Sequence, residues 1–501
     1  MNATKTSPDR SLSGIAGLDH ILHGGFPSRR LYLIRGRPGT GKTTLGLQFL
    51  LEGVAHGEEV LYITLSETRE ELELVAGSHG WSLEGVQLVD LSAVEQQLKP
   101  EAQTTLLHPS EMELARTTRV LQAVIEDQRP HRIVFDSLAE LRLMAQNPLR
   151  YRRQILALKT FLASHRATVL MLDDQLDSND HQLESIAHGV IDLDYVRPDF
   201  GAERRRVNVA KLRGVPFVGG YHDYVIQTGG LAVYPRLIAA EHRRDRTLGQ
   251  QPSGVKGLDE LTHGGLDIGT STLLIGPAGT GKSTIALQYA VATVAAGQSA
   301  AIFAFDESIS TLLTRARGLG IPLESHIEDG SIRVQPVDPA EFSPGQFTAL
   351  VQSVVDTGIR TLVIDSLNGF LHAMPDERFL VIHLHELLSF LAHRGITTVM
   401  TLAEHGLVGR LAARIDLSYL AETVILLRFF EHAGAVRKGL SVMKKRAGSH
   451  EDTIRELRML SGKGLLVGEP LRAFQNVLAG IPTFTGSRSE ILGSEDAAGR
   501  A

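Results

Sequence analysis

Two glycine-rich stretches of the chain carry the residue types that hold phosphate groups. Residues 36–43, GRPGTGKT, and residues 276–283, GPAGTGKS, both fit the pattern G-x-x-x-x-G-K-[ST]. Glycines let consecutive backbone N–H groups turn inward around phosphate oxygens, and the N-terminus of the following helix adds its positive end. The sequence therefore predicts two nucleoside triphosphate sites. Their ATP contacts are expected from Gly36, Gly39, Thr40, Gly41, Lys42, Thr43, Thr44, Gly276, Gly279, Thr280, Gly281, Lys282, Ser283 and Thr284.

The chemistry of the two stretches predicts ATP and Mg²⁺ as cofactors. Lys42 and Lys282 would reach the β- and γ-phosphates, while Thr43 and Ser283 would place a hydroxyl on Mg²⁺. Each stretch also lies between a predicted strand and a predicted helix, which is the context that this motif requires.

Two aspartates complete the predicted metal sites. Asp136 follows the apolar run 133–135 of the predicted strand 132–135, and Asp365 ends the apolar run 362–364. Burying a carboxylate at the end of a strand costs free energy unless a cation or a hydrogen-bond donor compensates its charge. A Walker B role, in which Asp136 and Asp365 hold Mg²⁺ beside Thr43 and Ser283, supplies that compensation; an ordinary strand-end turn is the alternative.

Hydrolysis also needs a group that orients the attacking water. Glu67 follows the predicted strand 60–64, and Asp306 and Glu307 follow the predicted strand 300–305. These three carboxylates are the candidate catalytic groups. The alternative is that they cap a helix or lie in a solvated loop.

The chain is an internal duplication. Ser13 to Asp19, SGIAGLD, recurs as Ser253 to Asp259, SGVKGLD, with the same spacing that separates the two phosphate motifs. Apolar runs alternate with helical periodicity in both copies, which predicts a mostly parallel sheet with helices on both faces. We predict a first domain at residues 1–240, a linker at 241–252, a second domain at 253–485 and a disordered tail at 486–501.

Composition narrows the class of protein. The 501 residues have a net charge of -6 and contain no cysteine, which excludes disulfides, thiolate metal sites and cysteine nucleophiles. The weakly acidic balance disfavours a nucleic-acid coat protein. The polar N-terminus and the absence of an apolar run near the ~20 residues needed to span a bilayer predict a cytoplasmic protein without a membrane partner.

These motifs together resemble the KaiC family of two-domain circadian clock ATPases and autokinases, from Ser13 to about Thr485. The resemblance implies two tandem RecA-like P-loop NTPase domains. It also implies a double-ring homo-hexamer with ATP between subunits, and partners of the KaiB or the histidine-kinase and response-regulator type.

The resemblance implies a role for two basic motifs, one near the end of each domain. The pairs Lys211 and Arg213, and Lys444 and Arg446, match family residues that reach the γ-phosphate held by the neighbouring subunit. A solvated strand end is the alternative. Ala447 replaces the family glycine.

The family's second domain phosphorylates an adjacent serine and threonine, and here the matching residues are Ser418 and Tyr419. The resemblance therefore implies at most a single-site serine autokinase with Ser418 as the phosphorylated residue. An ordinary structural hydroxyl is the alternative.

Two other functions are compatible with two P-loops. One is a DNA-dependent recombination ATPase of the RecA/RadA type, although no added DNA-binding module or basic mobile loop is evident. The other is a nucleotide-binding scaffold with little turnover, which Ser66 and Asp306 suggest because the family has glutamates at these positions. The segment by which the family engages KaiA is shortened or altered.

Overall fold

The chain divides after Arg236 into two compact units. The computed structural model describes residues 9–91, 109–145, 147–174, 181–197, 202–242, 249–305, 307–338, 340–372, 377–404, 417–432, 434–475, 477 and 483–484. The domain limits predicted from the sequence at residues 240 and 252 remain predictions.

The first unit is built on a nine-stranded sheet within the described residues, in the order β11-β10-β9-β8-β3-β7-β6-β4-β5. Strands from β8 to β5 in this order run parallel, whereas β9, β10 and β11 continue the sheet antiparallel to their neighbours. The strands are β3 Leu31–Gly36, β4 Val60–Thr64, β5 Val86–Asp90, β6 Arg132–Asp136, β7 Thr168–Asp174, β8 Gly189–Val196, β9 Arg204–Leu212, β10 Tyr221–Gln227 and β11 Gly230–Tyr234, and a separate pair is formed by β1 Arg10–Ser11 and β2 Phe26–Pro27.

Helices of the first unit begin at recognisable signals. Thr68 caps α3 in a capping box with Glu71, and Asn147 caps α6, which has Pro148 in its first turn. The helices are α1 Ala16–Ile21, α2 Lys42–Ala55, α3 Arg69–Ser78, α4 Pro109–Gln128, α5 Leu138–Ala145, α6 Pro148–Ser164 and α7 His181–Ile186.

The second unit repeats this plan, with the order β16-β15-β17-β18-β14-β19-β20-β21-β22 among the described residues. Its strands are β12 Gln250–Gln251, β13 Leu266–Asp267, β14 Ser271–Gly276, β15 Ala300–Ala304, β16 Ile332–Pro336, β17 Thr361–Asp365, β18 Thr397–Ala403, β19 Thr423–His432, β20 Ala435–Lys445, β21 Arg455–Leu460, β22 Gly464–Pro470, β23 Phe474–Gln475 and β24 Thr483–Phe484. Its helices are α8 Lys256–Leu261, α9 Lys282–Ala295, α10 Ile309–Gly318, α11 Leu323–Glu328, α12 Pro344–Asp356, α13 Leu367–His372 and α14 Glu377–His393, with a 3-10 turn at Ala239–His242.

Apolar side chains cover both faces of the second sheet. Leu362 and Ile364 of β17 pack into one buried cluster, whereas Val363 between them packs into another. This alternation follows from the period of two along a strand. Leu237 and Ala239 also belong to the first of these clusters, and the Ala239 N–H donates to Glu386 of α14.

The first sheet is covered in the same way. Ile133 and Phe135 of β6 pack into a large buried cluster with side chains of α5 and α6. Val134 faces the opposite side, where Gly46 of α2 approaches it closely enough that a Cβ would lie 2.9 Å from Val134 Cγ1. The predicted fold class, two tandem α/β domains with mostly parallel sheets and helices on both faces, is confirmed.

Parallel strands bring the functional loops to one edge of each sheet. Thr64 pairs with Asp136 and Gly36 pairs with Asp174 at the carboxyl ends of the strands in the first unit. The corresponding pairs in the second unit are Ala304 with Asp365 and Gly276 with Ala403. Ligands of open α/β sheets bind at this edge.

Among the described helices, none combines the length and apolar character needed to cross a bilayer.

Candidate ATP sites

The first phosphate loop connects the end of β3 to the start of α2. Gly41 has a φ of 87° and forms the N-cap of α2, and an added Cβ would lie 2.7 Å from Ile226 Cδ1. A glycine is required at Gly41 because L side chains rarely adopt this left-handed conformation. Thr40 is buried, and its hydroxyl donates to the Arg37 carbonyl at 2.8 Å. The loop therefore leads directly into the N-terminus of a 14-residue helix.

The second phosphate loop has the same local structure. Gly281 has a φ of 109° and caps α9, and the buried Thr280 donates to the Pro277 carbonyl at 2.8 Å. Gly39 and Gly279 are also left-handed, with φ of 85° and 81°. Exposed N–H groups at such helix starts are suited to phosphate oxygens.

The hydroxyl that follows each P-loop lysine binds the predicted Walker B aspartate. Thr43 Oγ1 donates to Asp136 Oδ2 at 2.9 Å, and Ser283 Oγ donates to Asp365 Oδ1 at 3.0 Å. The structure thus brings together both predicted pairs, although they are almost a hundred residues apart in sequence in the first unit. Hydroxyl and carboxylate oxygens side by side form the ligand type that Mg²⁺ prefers.

Each Walker B aspartate is held by a further hydroxyl that sequence reasoning missed. The phenol of Tyr62 on β4 donates to Asp136 Oδ2 at 2.5 Å, whereas Thr401 on β18 donates to Asp365 Oδ1 at 2.5 Å. Burial raises the pKa of Asp136 and of Tyr62, while the bonds from Tyr62 and Thr43 and the charge of Lys42 act to lower the Asp136 value. The signal in the sequence is weak: each hydroxyl lies on a neighbouring buried strand that also contains at least one other hydroxyl-bearing residue.

The two P-loop lysines are buried but have different partners. Lys42 Nζ donates to the Gly36 carbonyl at 2.7 Å and forms an ion pair with Asp174 Oδ1 at 2.7 Å. Lys282 Nζ donates to the carbonyls of Gly276 and Pro277 at 2.7 and 2.8 Å, and burial lowers its pKa to about 8. Both lysines therefore sit inside the loop that the motif predicts.

Thr44 and Thr284, which the sequence also predicts to contact ATP, lie in the first turn of the helix after each loop. Thr44 is buried at the start of α2, and its hydroxyl lies 3.5 Å from His79 Nε2. Thr284 is also buried, at the corresponding place in α9.

The candidate catalytic carboxylates differ between the units. Glu67 lies in a turn in which Thr64 Oγ1 accepts from the Glu67 N–H at 2.9 Å. Burial, followed by the nearby charges of Asp136 and Glu71, raises the pKa of Glu67 to about 7, against the opposing effect of Lys42. A carboxylate with this pKa is suited to exchange a proton near neutral pH.

The second unit places an arginine beside its carboxylate. Glu307 Oε2 lies 2.8 Å from an Nη atom of Arg315, and both side chains are more than two-thirds buried. Burial raises the pKa of Glu307, and Arg315 acts in the opposite direction. Asp306 lies outside the described residues.

The late basic residues bind carbonyl groups of their own unit. Lys211 donates to Glu184 and Ala187, and Arg213 donates to Ser185 at 2.9 Å. Burial, then the charge of Arg213, lowers the pKa of Lys211. These contacts place the pair against the C-terminal end of α7, just before β8.

The equivalent turn in the second unit contains Ser418. Lys444 donates to the carbonyls of Ser418 and Ala421, both at 2.8 Å, and Arg446 donates to that of Tyr419 at 3.0 Å. Ser418 is half-buried and Tyr419 is 53% exposed. The predicted phosphorylation site and the predicted basic motif are thus in direct contact.

The parallel sheets and the glycine loops at helix starts define a protein of the RecA-like P-loop ATPase class with two tandem domains. The chain belongs to the KaiC ATPase family, because the family model described as "ATPase: KaiC" matches residues 12–238 and again residues 251–472.

Individual relatives are distant but match almost end to end. Circadian clock protein KaiC3 of Synechocystis sp. is 25% identical over 96% of this chain and 95% of its own length. The circadian clock oscillator proteins KaiC of Acaryochloris marina and Synechococcus elongatus are each 26% identical, over 96% and 94% of this chain and 92% and 91% of their own lengths. The expected resemblance to KaiC is confirmed.

Proposed function

We propose that both units bind MgATP and hydrolyse it, and that the first site turns over faster than the second. The observation that carries this proposal is the contact of Thr43 with Asp136 and of Ser283 with Asp365, each beside a buried lysine. The two copies have diverged in many surrounding residues but keep this hydrogen bond, with lengths of 2.9 and 3.0 Å.

The residues present fit the proposed cofactors. The loop backbone is accessible at Gly39, because an added Cβ there would meet no atom of the described chain within 4 Å. Thr43 and Asp136 would hold Mg²⁺ in the first unit, and Ser283 and Asp365 would hold it in the second. A bound Mg²⁺ ion would neutralise charge that develops on the phosphate oxygens.

The chain's own groups would perform the remaining steps. Lys42 and Lys282 would orient the terminal phosphates, and the loop N–H groups would bind their oxygens. Glu67 would orient the attacking water in the first unit, and Glu307, with Asp306, in the second. The nearly neutral pKa of Glu67 and its position after β4 support this role.

We further propose a homo-hexamer with ATP between subunits. Lys211 and Arg213, and likewise Lys444 and Arg446, would then leave or extend from their carbonyl contacts to reach the γ-phosphate of a neighbouring subunit. A cation supplied in this way would couple hydrolysis to assembly. Resemblance to the oscillator proteins supports this assembly, and it supports partners of the KaiB or the histidine-kinase and response-regulator type.

Serine autophosphorylation of Ser418 is the proposed second activity. The hydroxyl would attack the γ-phosphate held by the adjacent subunit, forming the serine phosphate ester and releasing ADP, while its proton passes to a carboxylate such as Glu307. Support comes from the position of Ser418 in a turn held by Lys444, which is one of the residues expected to face that phosphate.

One experiment tests the central proposal and separates it from its rivals. Phosphate release from MgATP is measured for the wild-type protein, for Lys42→Ala, for Lys282→Ala and for the double variant, with and without DNA. We expect the rate of phosphate release to fall partly in each single variant and by at least 90% in the double variant. DNA should not stimulate the rate of the wild-type protein.

Three other outcomes would contradict the proposed hydrolysis or favour a rival function. Full turnover in the double variant would refute hydrolysis at these loops. ATP-dependent assembly without turnover would favour the scaffold, and stimulation by DNA would favour a recombination ATPase. Mass spectrometry of Ser418 after incubation with MgATP, with Ser418→Ala as the matched control, tests the autokinase; an unmodified serine at full ATP occupancy would contradict it.

A further inference from the structure

Glu67 and Glu307 occupy equivalent places after β4 and β15 but have different electrostatic surroundings. Both precede a helix of ten residues whose N-cap hydroxyl binds the backbone of the first turn, Thr68 in the first unit and Ser308 in the second. The residue eight positions after the glutamate lies in this helix in both units. That residue is Val75 in the first unit and Arg315 in the second.

The arginine makes a specific contact with the glutamate. An Nη atom of Arg315 lies 2.8 Å from Glu307 Oε2, and the side chains are 29% and 21% exposed. The Nε and Nη2 atoms of Arg315 are buried and neither makes a well-aligned hydrogen bond in the described part of the chain, so the contact of Nη2 with Glu307 is an ion pair by distance. Glu307 is therefore the partner that compensates a partly buried charge, and separating the two would leave that charge uncompensated.

The first unit has no corresponding restraint from this helix. Val75 cannot pair with a carboxylate, and Glu67 Oε2 is buried without a hydrogen-bond partner among the described residues. A carboxylate in this condition is available to accept a hydrogen bond from a water molecule or substrate.

We infer that Arg315 is a positioning residue that holds the Glu307 carboxylate away from the attacking water and thereby slows hydrolysis at the second ATP site. This inference rests on the proposed function, since it concerns the rate of that same reaction. Turning Glu307 toward the phosphate requires the ion pair to be broken or stretched. Partly exposed pairs of this kind are worth about 0.2 to 1 kcal/mol, which corresponds to about a 1.5- to 5-fold change in rate.

A reciprocal exchange between the two units tests the inference. Arg315→Val gives the second unit the residue of the first, and Val75→Arg gives the first unit the residue of the second. Second-site turnover is measured in a Glu67→Gln background, and first-site turnover in a Glu307→Gln background. We expect Arg315→Val to raise kcat of the second site by about 2- to 5-fold with KM unchanged, and Val75→Arg to lower kcat of the first site by a similar factor.

Arg315→Lys serves as the conservative control. It retains a cation that can reach Glu307, so its kcat should stay closer to that of the wild type than to that of Arg315→Val. A general structural role for Arg315 would instead change KM, or would lower kcat in both variants. An unchanged or lowered kcat in Arg315→Val, at full nucleotide occupancy and with an unchanged melting temperature, would overturn the inference.

Failure of the inference and failure of the proposed function are distinguishable. If Lys282→Ala abolishes the second-site signal while Arg315→Val leaves it unchanged, hydrolysis stands and only the role of Arg315 is wrong. If the signal survives Lys282→Ala, the phosphate is not released at this loop and the proposed function itself fails.

Discussion

Lys42 Nζ lies 2.7 Å from Asp174 Oδ1, so the P-loop lysine of the first unit already has a carboxylate partner. The side chains are 8% and 29% exposed. Asp174 is aligned with Gly36 at the carboxyl end of β7, and Ala403 holds the aligned position in the second unit. A nucleotide that binds Lys42 therefore competes with Asp174, whereas no carboxylate of the described residues forms an ion pair with Lys282.

Asp174→Ala should tighten ATP binding at the first site. Removing the carboxylate frees Lys42 and removes a negative charge near the phosphates, for an expected gain in affinity of about 1.5- to 5-fold. Binding of a non-hydrolysable ATP analogue, measured calorimetrically in a Lys282→Ala background, checks this. Ala403→Asp is the reciprocal control and should weaken the second site; tighter binding there would contradict the argument.

A rise in pH should weaken ATP binding at the second site. Burial lowers the pKa of Lys282 to about 8, so the free protein loses the lysine's charge as the pH passes through this value. Bound phosphates favour the charged form, and binding above pH 8 must then take up a proton. The dissociation constant should increase by about tenfold between pH 7 and pH 9.

The measurement is a titration of the non-hydrolysable analogue at several pH values in a Lys42→Ala background. Proton uptake, read from the dependence of the binding enthalpy on the buffer, should rise from about 0.1 proton at pH 7 to about 0.5 at pH 8 and about 0.9 at pH 9. An affinity that is constant over this range would show that Lys282 keeps its charge.

Much of the fold and the centre of each site could be predicted from local sequence. The glycines around Lys42 and Lys282 indicate the loop, because they can adopt left-handed backbone conformations. The apolar run before Asp136 indicates a buried strand that ends in a candidate metal ligand. The repeat made these predictions stronger, because each motif occurs twice.

The contacts that distinguish the two sites could not be predicted in this way. Tyr62 reaches Asp136 from the adjacent strand, and Asp174 reaches Lys42 across the edge of the sheet. Arg315 meets Glu307 only because the intervening residues form a capped helix. In each case the side chains meet through strand order or helix phase, so residue type alone gives no indication of the partner.

Glu67→Gln should stabilise the nucleotide-free protein at high pH. The folded protein raises the pKa of Glu67 to about 7, so below the unfolded value, near 4.5, the side chain is protonated in both states. As the pH rises toward 7 and above, the folded protein must hold a partly buried carboxylate near Asp136, and stability is lost. The neutral amide removes this penalty.

Thermal unfolding followed by circular dichroism at pH 5 and pH 8 measures the effect. The variant should melt about 2 to 4 °C above the wild type at pH 8, with a smaller difference at pH 5. Glu307→Gln is the matched comparison: burial also raises the pKa of Glu307, but its removal leaves the partly buried Arg315 without its partner, so the stabilisation should be smaller than for Glu67→Gln. An equal difference at both pH values would indicate a cause other than titration of Glu67.

Trp81 should report nucleotide binding at the first site alone. It is the single tryptophan of the chain, and its ring centroid lies 4.8 Å from that of His79. His79 in turn lies beside the P-loop helix, with Nε2 3.5 Å from Thr44 Oγ1, and its Nδ1 is 2.9 Å from the Gln227 carbonyl. A nucleotide that orders the start of α2 will therefore change the surroundings of the indole, and tryptophan emission should change on addition of MgATP.

The change should be lost in Lys42→Ala and retained in Lys282→Ala, whereas the reverse pattern would show that Trp81 senses the second site. His79→Ala provides the remaining control: it should reduce the change in emission without abolishing binding measured by calorimetry, because it removes the ring that connects Trp81 to Thr44.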